Sequence, residues 1–273
     1  GSKNFTEQVL LGEIAAQHLE RRLGTAVSRR LDLGGTLLAH EALVAGQIDL
    51  YPEYTGTALT AILKLPPRTD PAEVSAIVTR EYRARWKLDW LAPLGFNDTF
   101  AMVIRGEVAR AERLSTLSQA ASRAGGWRLG VGYEFQGRPD GLPGLQKTYA
   151  LPLRENPRSM DLGLLYTALA ENQVDMVAAN STDGLLAARD FTVLNDDKRS
   201  FPPYEAAFVL GAALAGREPR ARKALEELSG TLSDTVMQKL NYRVDGEHRP
   251  VAAVAREFLD SLGSAPAGAK SGR

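Results

Sequence analysis

The chain has 273 residues, 44% hydrophobic and 24% charged, a globular balance with length for one large domain or two modest lobes, which excludes disordered and fibrous folds. Lys and Arg together number 33, as do Asp and Glu, so no net field draws the protein to nucleic acid or to an anionic membrane, and no nucleic-acid partner is expected. Cysteine is absent, which removes disulfides, thiol nucleophiles, Cys-ligated zinc and iron–sulfur clusters together.

Gly1–Gln8 is polar rather than a signal sequence, no run of about 18 apolar residues occurs, and the chain is expected to begin inside or just after its first strand. Asn4 with Glu7 reads as the N-cap and N3 partner of an amphipathic helix starting near residue 5. In it Leu10, Leu11, Ile14, Ala15, Leu19 and Leu23 recur at helical spacing until Gly24. Thr36–Val44 is a second, short helix with Gly46 as its C-terminal glycine, and Ile48, Leu50 and Tyr51 form a buried strand. A helix over Pro71–Leu88 follows, then a strand, a turn at Asn97-Asp98, and a second strand from Phe100 to Ile104. The middle of the chain repeats the alternation: strand Arg128–Tyr133, a Gly/Pro-rich loop Gly137–Gly144, a helix near Asp161–Glu171 and strand Val174–Ala178, the pattern of a parallel α/β sheet. A strand through Val209 and Leu210 precedes helices at Pro219–Leu232 and Pro250–Leu262, with Met237–Tyr242 between them, and 265–273 reads as a disordered tail.

One internal similarity stands out. Ala42–Tyr54 aligns with Ala168–Asn180 at a constant offset, matching a helix end, a turn Gln, a strand Asp and the apolar strand positions. Helix–turn–strand units resemble one another by chance in windows this short; the other reading is two related α/β lobes. On the second reading Tyr54 and Asn180 are equivalent positions just past the ends of parallel strands, where open α/β sheets place ligands, and both face one cleft.

Catalysis finds little support, and no enzymatic activity is expected. His18, His40 and His248 have no partner at metal-ligand spacing and read as solvated or capping groups, and no metal or cofactor is expected. There is no Gly-x-Ser-x-Gly elbow, phosphate loop or dinucleotide fingerprint. Recognition is better supported. In Tyr51–Thr57 two tyrosines and two threonines end a strand and open a helix, where free N–H groups attract an anion; Tyr51 reads as core, Tyr54 and Thr57 as cleft. Arg138 sits in a loop stiffened by Pro139 and Pro143, suited either to bidentate carboxylate binding or to a salt bridge with Asp140. Phe201-Pro202-Pro203-Tyr204 presents rings on a rigid stretch, for packing or for a ligand.

Six segments share one pattern: Gly1–Gln8, Tyr51–Thr57, Gly95–Ala101, Arg138–Leu145, Ser181–Gly184, and Asp196-Asp197-Lys198 leading to Phe201–Glu205. Together they resemble the substrate-binding proteins of ABC importers for glycine betaine, choline and related osmoprotectants, in family order over nearly the whole chain. The resemblance implies a type II periplasmic-binding-protein fold, two α/β lobes joined by two crossovers: roughly 1–99 with 205–264, and 100–204. Hinge closure would bury a small solute and present a closed shape to an ABC permease subunit. The protein is expected to be monomeric and periplasmic or otherwise extracytoplasmic, as a free receptor or as the receptor domain of a membrane-tethered permease fusion.

A trimethylammonium group cannot donate hydrogen bonds, so aromatic faces and dispersion hold it. Carried over by motif, the resemblance implies cage positions at Tyr54, Phe100, Asn180 and Tyr204, with Lys3, Thr57 and Arg138 gripping an acidic end and Asp98 near the cation. The family pattern has tyrosine where Phe100 and Asn180 stand. Phe100 keeps a ring; Asn180 does not. One ring face over an onium contributes ~0.5–2 kcal/mol, so its loss weakens simple betaine binding by about tenfold, while the amide suits a ligand with a polar group beyond its onium. Either a zwitterion larger than glycine betaine, for instance a betaine of histidine such as ergothioneine, or a weak betaine site is therefore expected. A porphyrin-precursor deaminase on the same scaffold needs a cysteine that this chain lacks. The effector domain of a transcription regulator needs a DNA-reading helix that is not visible at either end.

Overall fold

The computed structural model describes residues 1–186 and 189–264; the tail expected over 265–273 lies outside the described residues. Two sheets organise the chain. Strands β1 (Leu50–Tyr54), β2 (Asp89–Trp90) and β8 (Ala206–Leu210) pair in the order β1-β8-β2, antiparallel throughout. Strands β3 (Phe100–Arg105), β4 (Leu129–Val131), β5 (Arg158–Ser159), β6 (Met176–Asn180) and β7 (Phe191–Leu194) pair in the order β5-β4-β6-β3-β7. Here β4 runs parallel to β5 and β6, whereas β3 is antiparallel to β6 and β7. The parallel arrangement read from the sequence thus holds for three strands only. β3 and β8 are reached by passing from the other sheet, so no crossover helix forces them parallel.

The central strands of both sheets, β8, β4, β6 and β3, are largely buried on both faces, which is why they read as nearly unbroken apolar runs. On β8, Ala206, Phe208 and Leu210 pack into one cluster and Ala207 and Val209 into another; on β6, Met176 and Ala178 alternate in the same way with Val177 and Ala179. β1, by contrast, carries Glu53, a fully buried carboxylate.

Helix α1 (Thr6–Leu23) ends at Gly24, whose φ of 68° is the left-handed geometry that a β-carbon disfavours. Its N-cap is Phe5, with no side-chain cap. Asn4 and Glu7 therefore do not form the capping pair expected from their spacing, because Glu7 is drawn into a buried polar network described below. Helix α2 (Thr36–Val44) has the predicted bounds, with Gly46 at φ 69°. The helix over Pro71–Trp86 starts from an Asp70 cap. Among the described residues β8 is followed by a short helix, Ala212–Arg217, and then by three more, at Arg220–Glu226, Asp234–Asp245 and Val251–Ser264. The first of these three is shorter than its apolar spacing suggests, since the chain turns through Gly230 (φ 70°), whose N–H donates to the Pro93 carbonyl.

Two histidines depart from the solvated role. His18 is buried with its ring 2.9 Å from the Ala224 carbonyl, and His40 is buried edge-on to Tyr82 and Trp86 with neither ring nitrogen bonded. Burial holds His40 at a pKa of about 4, aided by Lys3, so it is neutral.

The chain passes between the sheets at 97–99 and again at 201–205. A backbone bridge joins Asn97 to Glu205, Tyr204 N–H donates to Asn97 Oδ1 at 2.6 Å, and Asp98 N–H donates to the Tyr204 carbonyl at 3.1 Å.

Candidate functional site

Between the two sheets lies a cleft of about 710 Å³, and all eight residues singled out in the sequence line it: Lys3, Tyr54, Thr57, Asp98, Phe100, Arg138, Asn180 and Tyr204. Tyr54 and Asn180 are the last residues of β1 and β6. The internal repeat therefore places both on the cleft, although β1 belongs to an antiparallel sheet. Phe100, first in β3, faces Asn180 across the strand pair. Its ring meets Tyr204 edge-on at 5.5 Å and Phe135 at 4.8 Å, while Phe5 stacks near Tyr54 at 6.3 Å. Gly56 lets the second crossover approach: a β-carbon there would stand 2.6 Å from the Pro203 carbonyl oxygen and 2.7 Å from the Tyr204 ring.

Both basic residues arrive paired. Lys3 Nζ donates to Glu53 Oε1 at 2.5 Å and lies 5.2 Å from the Tyr54 ring centre. Arg138 donates through Nε and Nη2 to the two oxygens of Asp140, at 3.0 and 2.5 Å, and its guanidinium sits 5.1 Å from the Phe100 ring and 5.8 Å from Tyr204. Of the two sequence readings of Arg138, the salt bridge with Asp140 is formed. Burial opposes the charge on Asp140, yet the guanidinium outweighs it and holds the carboxyl below its usual range. Asp140 also accepts from the Tyr204 hydroxyl at 2.6 Å, so the pair orients a ring of the cleft.

Across the cleft, Glu134 of the short helix Tyr133–Gly137 accepts from Thr36 N–H at 2.6 Å and Thr36 Oγ at 2.9 Å. Helix α2 has no cap of its own, Gly35 standing at its N-cap. Although burial works against its charge, Lys3 and the Thr36 N–H hold Glu134 below the ordinary carboxylate range.

The floor is acidic. Glu7 accepts from the Tyr54 hydroxyl (2.6 Å) and Asn241 Nδ2 (2.9 Å), and Thr182 Oγ1 lies 2.6 Å from Glu7 Oε2 and 2.7 Å from Asp98 Oδ1. Asp183 accepts from the Tyr166 hydroxyl and Asn180 N–H. Burial raises all three acids: Glu7 to about 7, Asp183 to about 6, and Asp98 well above its ordinary value with Glu7 adding to it. Among the described residues no group of three His, Cys, Asp or Glu is arranged to hold a metal ion, and no helix is long and apolar enough to cross a membrane.

Sequence reasoning missed Glu7, Glu134 and Asn241 as cleft groups, and Thr182 as the hydroxyl that links Glu7 to Asp98. Glu7 was masked by its capping-box spacing. Glu134 and Asn241 find their partners 98 and 234 residues away, which local spacing does not encode.

The model of the substrate-binding domain of ABC-type glycine betaine transport systems matches residues 1–261. A glycine-betaine-binding protein of Pseudomonas aeruginosa is 37% identical over 95% of this chain and 86% of its own. An ergothioneine transport permease/ergothioneine binding protein, EgtU of Helicobacter pylori, is 35% identical over 96% of this chain, which spans only 47% of that relative's length. A solved glycine betaine/carnitine/choline ABC transporter structure superposes with a TM-score of 0.79 at 30% identity, covering 96% of this chain and 97% of that one.

Proposed function

Because the chain belongs to the family of substrate-binding domains of ABC-type glycine betaine transport systems, with the type II periplasmic-binding-protein fold, we propose that its cleft receives a quaternary-ammonium compound for an ABC permease. The observation that carries this reading is the convergence of Tyr54, Phe100 and Tyr204 with three raised carboxyls on one cleft. Aromatic faces and nearby acids are what a cation without donors can use. Binding rather than turnover is the output. In this reading lobe one is 1–99 with 205–264, lobe two is 100–204, and the receptor works as an extracytoplasmic monomer that delivers its solute to the membrane subunit.

Asn180 and the pairing of both cations refine the ligand. Asn180 stands on the cleft where a fourth ring would complete the cage, and Met160, Leu162 and Tyr166 line the same cleft, which favours a betaine bulkier than glycine betaine, ergothioneine among them. The names of the relatives support a ligand of this class. A ligand acid would engage Thr57, and Lys3 and Arg138 beside their partners Glu53 and Asp140. Mass spectrometry of solute released from native protein, followed by calorimetry, tests the reading. Tight binding of glycine betaine with no response to bulkier betaines would remove the enlarged ligand, and no response to any quaternary ammonium compound would remove the function. A second reading, a receptor domain fused to its permease and specific for another small zwitterion, is favoured by the 47% span of the Helicobacter relative; the coding sequence on either side of this segment decides it.

A further inference from the structure

The contacts at the cleft floor require a hydrogen that two ionised carboxylates cannot supply. Thr182 Oγ1 lies at hydrogen-bond distance from Glu7 Oε2 and from Asp98 Oδ1, at 2.6 and 2.7 Å. A hydroxyl has one hydrogen to give. If Thr182 donates to one acid, the other must donate to Thr182 and so must be neutral. Glu7 already receives donors from Tyr54 and Asn241, the surroundings of an anion, whereas Asp98 receives only the long 3.3 Å contact from Thr182 N–H besides the hydroxyl.

We propose that Glu7 and Asp98 hold one proton between them through Thr182 in the empty cleft, and that an entering onium ion expels it. This rests on the quaternary-ammonium reading above. The groups facing the pair are acids, phenols and one amide: Asp183 beyond β6, Asp245 and the amide Asn241 on the helix Asp234–Asp245, Tyr54 at the end of β1 and Tyr166 on the helix Leu162–Ala170. No Lys, Arg or His forms an ion pair with Glu7, Asp98 or Asp183 among the described residues; Lys3 is committed to Glu53. Asn241, only 2% exposed, lines the same cleft and leaves Oδ1 without a partner, so an acceptor as well as the acids awaits positive charge. An onium ion offers charge and no hydrogen. An acid that ionises when the cation arrives supplies the counter-charge only while it is needed, whereas a permanent buried anion without a partner is costly.

The test is a calorimetric titration of the protein with choline near pH 7 in phosphate and in Tris, whose ionisation heats differ. The expected result is release of a large fraction of one proton, and a choline Kd that weakens on acidification by up to ~tenfold per pH unit, the limit for one proton exchanged. Both effects should vanish in Asp98→Asn. Equal heats in the two buffers overturn the proposal. Infrared spectra of the ligand-free wild type give a second readout that needs neither ligand nor variant: a protonated-carboxyl carbonyl stretch near neutral pH that disappears on titration to alkaline pH. Its absence overturns the shared proton. Its presence in a protein that binds no quaternary ammonium compound would instead sink the ligand reading and leave the proton in place.

Discussion

Glu134 caps a helix that belongs to the opposite side of the cleft, its two oxygens taking the N–H and the hydroxyl of Thr36. A carboxylate at a helix N-terminus satisfies orphan donors and meets the positive end of the helix dipole. On the proposed hinge-closing reading, the contact exists only when the two lobes are together and so stabilises the closed arrangement. Replacing Glu134 by Ala should remove about 1 kcal/mol from that arrangement, weakening ligand binding by about fivefold and enlarging the radius of gyration of the ligand-free protein in small-angle scattering. An unchanged radius with unchanged affinity would show that closure does not depend on it.

On the quaternary-ammonium reading proposed above, Asn180 holds the position where a fourth ring would complete the cage. Asn180→Tyr should strengthen binding of choline and glycine betaine by about tenfold, from the added ring face, and weaken betaines that fill the space beside Met160 and Leu162. Calorimetry against a small and a bulky betaine measures both changes; a parallel gain for both would mean that the space is not used by the ligand.

Arg138 and Asp140 form a buried pair that also anchors the Tyr204 hydroxyl. Arg138→Ala strands the Asp140 carboxylate, a loss of roughly 3–5 kcal/mol for a broken buried pair, and should lower the midpoint of thermal unfolding sharply. Because Tyr204 loses its orientation too, choline binding should fall along with binding of carboxylate ligands. Loss confined to carboxylate ligands, at unchanged stability, would return Arg138 to a clamp role alone.

The floor acids set a pH dependence with a definite sign. Burial lifts Glu7 to about 7 and Asp183 to about 6, above their values in an unfolded chain. Between roughly pH 4 and pH 7 the folded protein therefore holds more protons than the unfolded one, and stability from these groups is greatest at the acid end and falls as pH rises through the folded values. Asp140, held low by Arg138, acts in the opposite direction but at more acidic pH. Thermal unfolding of the ligand-free protein should show this decline, and Glu7→Gln should flatten it; a midpoint rising from pH 5 to pH 7 through these acids would contradict their burial.

Much of this was legible because it is local. The bounds of α2, the left-handed glycines at 24 and 46 and the cleft position of Tyr54 follow from spacing and turn chemistry within a few residues, whereas Phe100, Asn180 and Tyr204 were carried over by the family resemblance. The antiparallel small sheet was not legible, since β8 reaches β1 only after the chain has built the other sheet. Glu7 misled for a physical reason: a Glu at the third helical position has an ordinary use, and only the fold brings Thr182 and Asn241 to it. Arg138 was ambiguous for the same reason. Its partner two residues on was visible in the sequence, but whether the guanidinium turned to it or to a solute depended on packing.

The two crossovers do more than connect. Tyr204 and Asp98 sit on the passages themselves: the Asp98 N–H donates to the Tyr204 carbonyl, and the Tyr204 N–H donates to the Asn97 side chain. A torsional change at either passage must shift a ring and an acid that face the solute, and a solute that fixes them stiffens the passages in return. In the two-lobe receptor proposed above, occupancy and interlobe angle would be one mechanical coordinate, letting a permease subunit sense a full receptor without touching its contents.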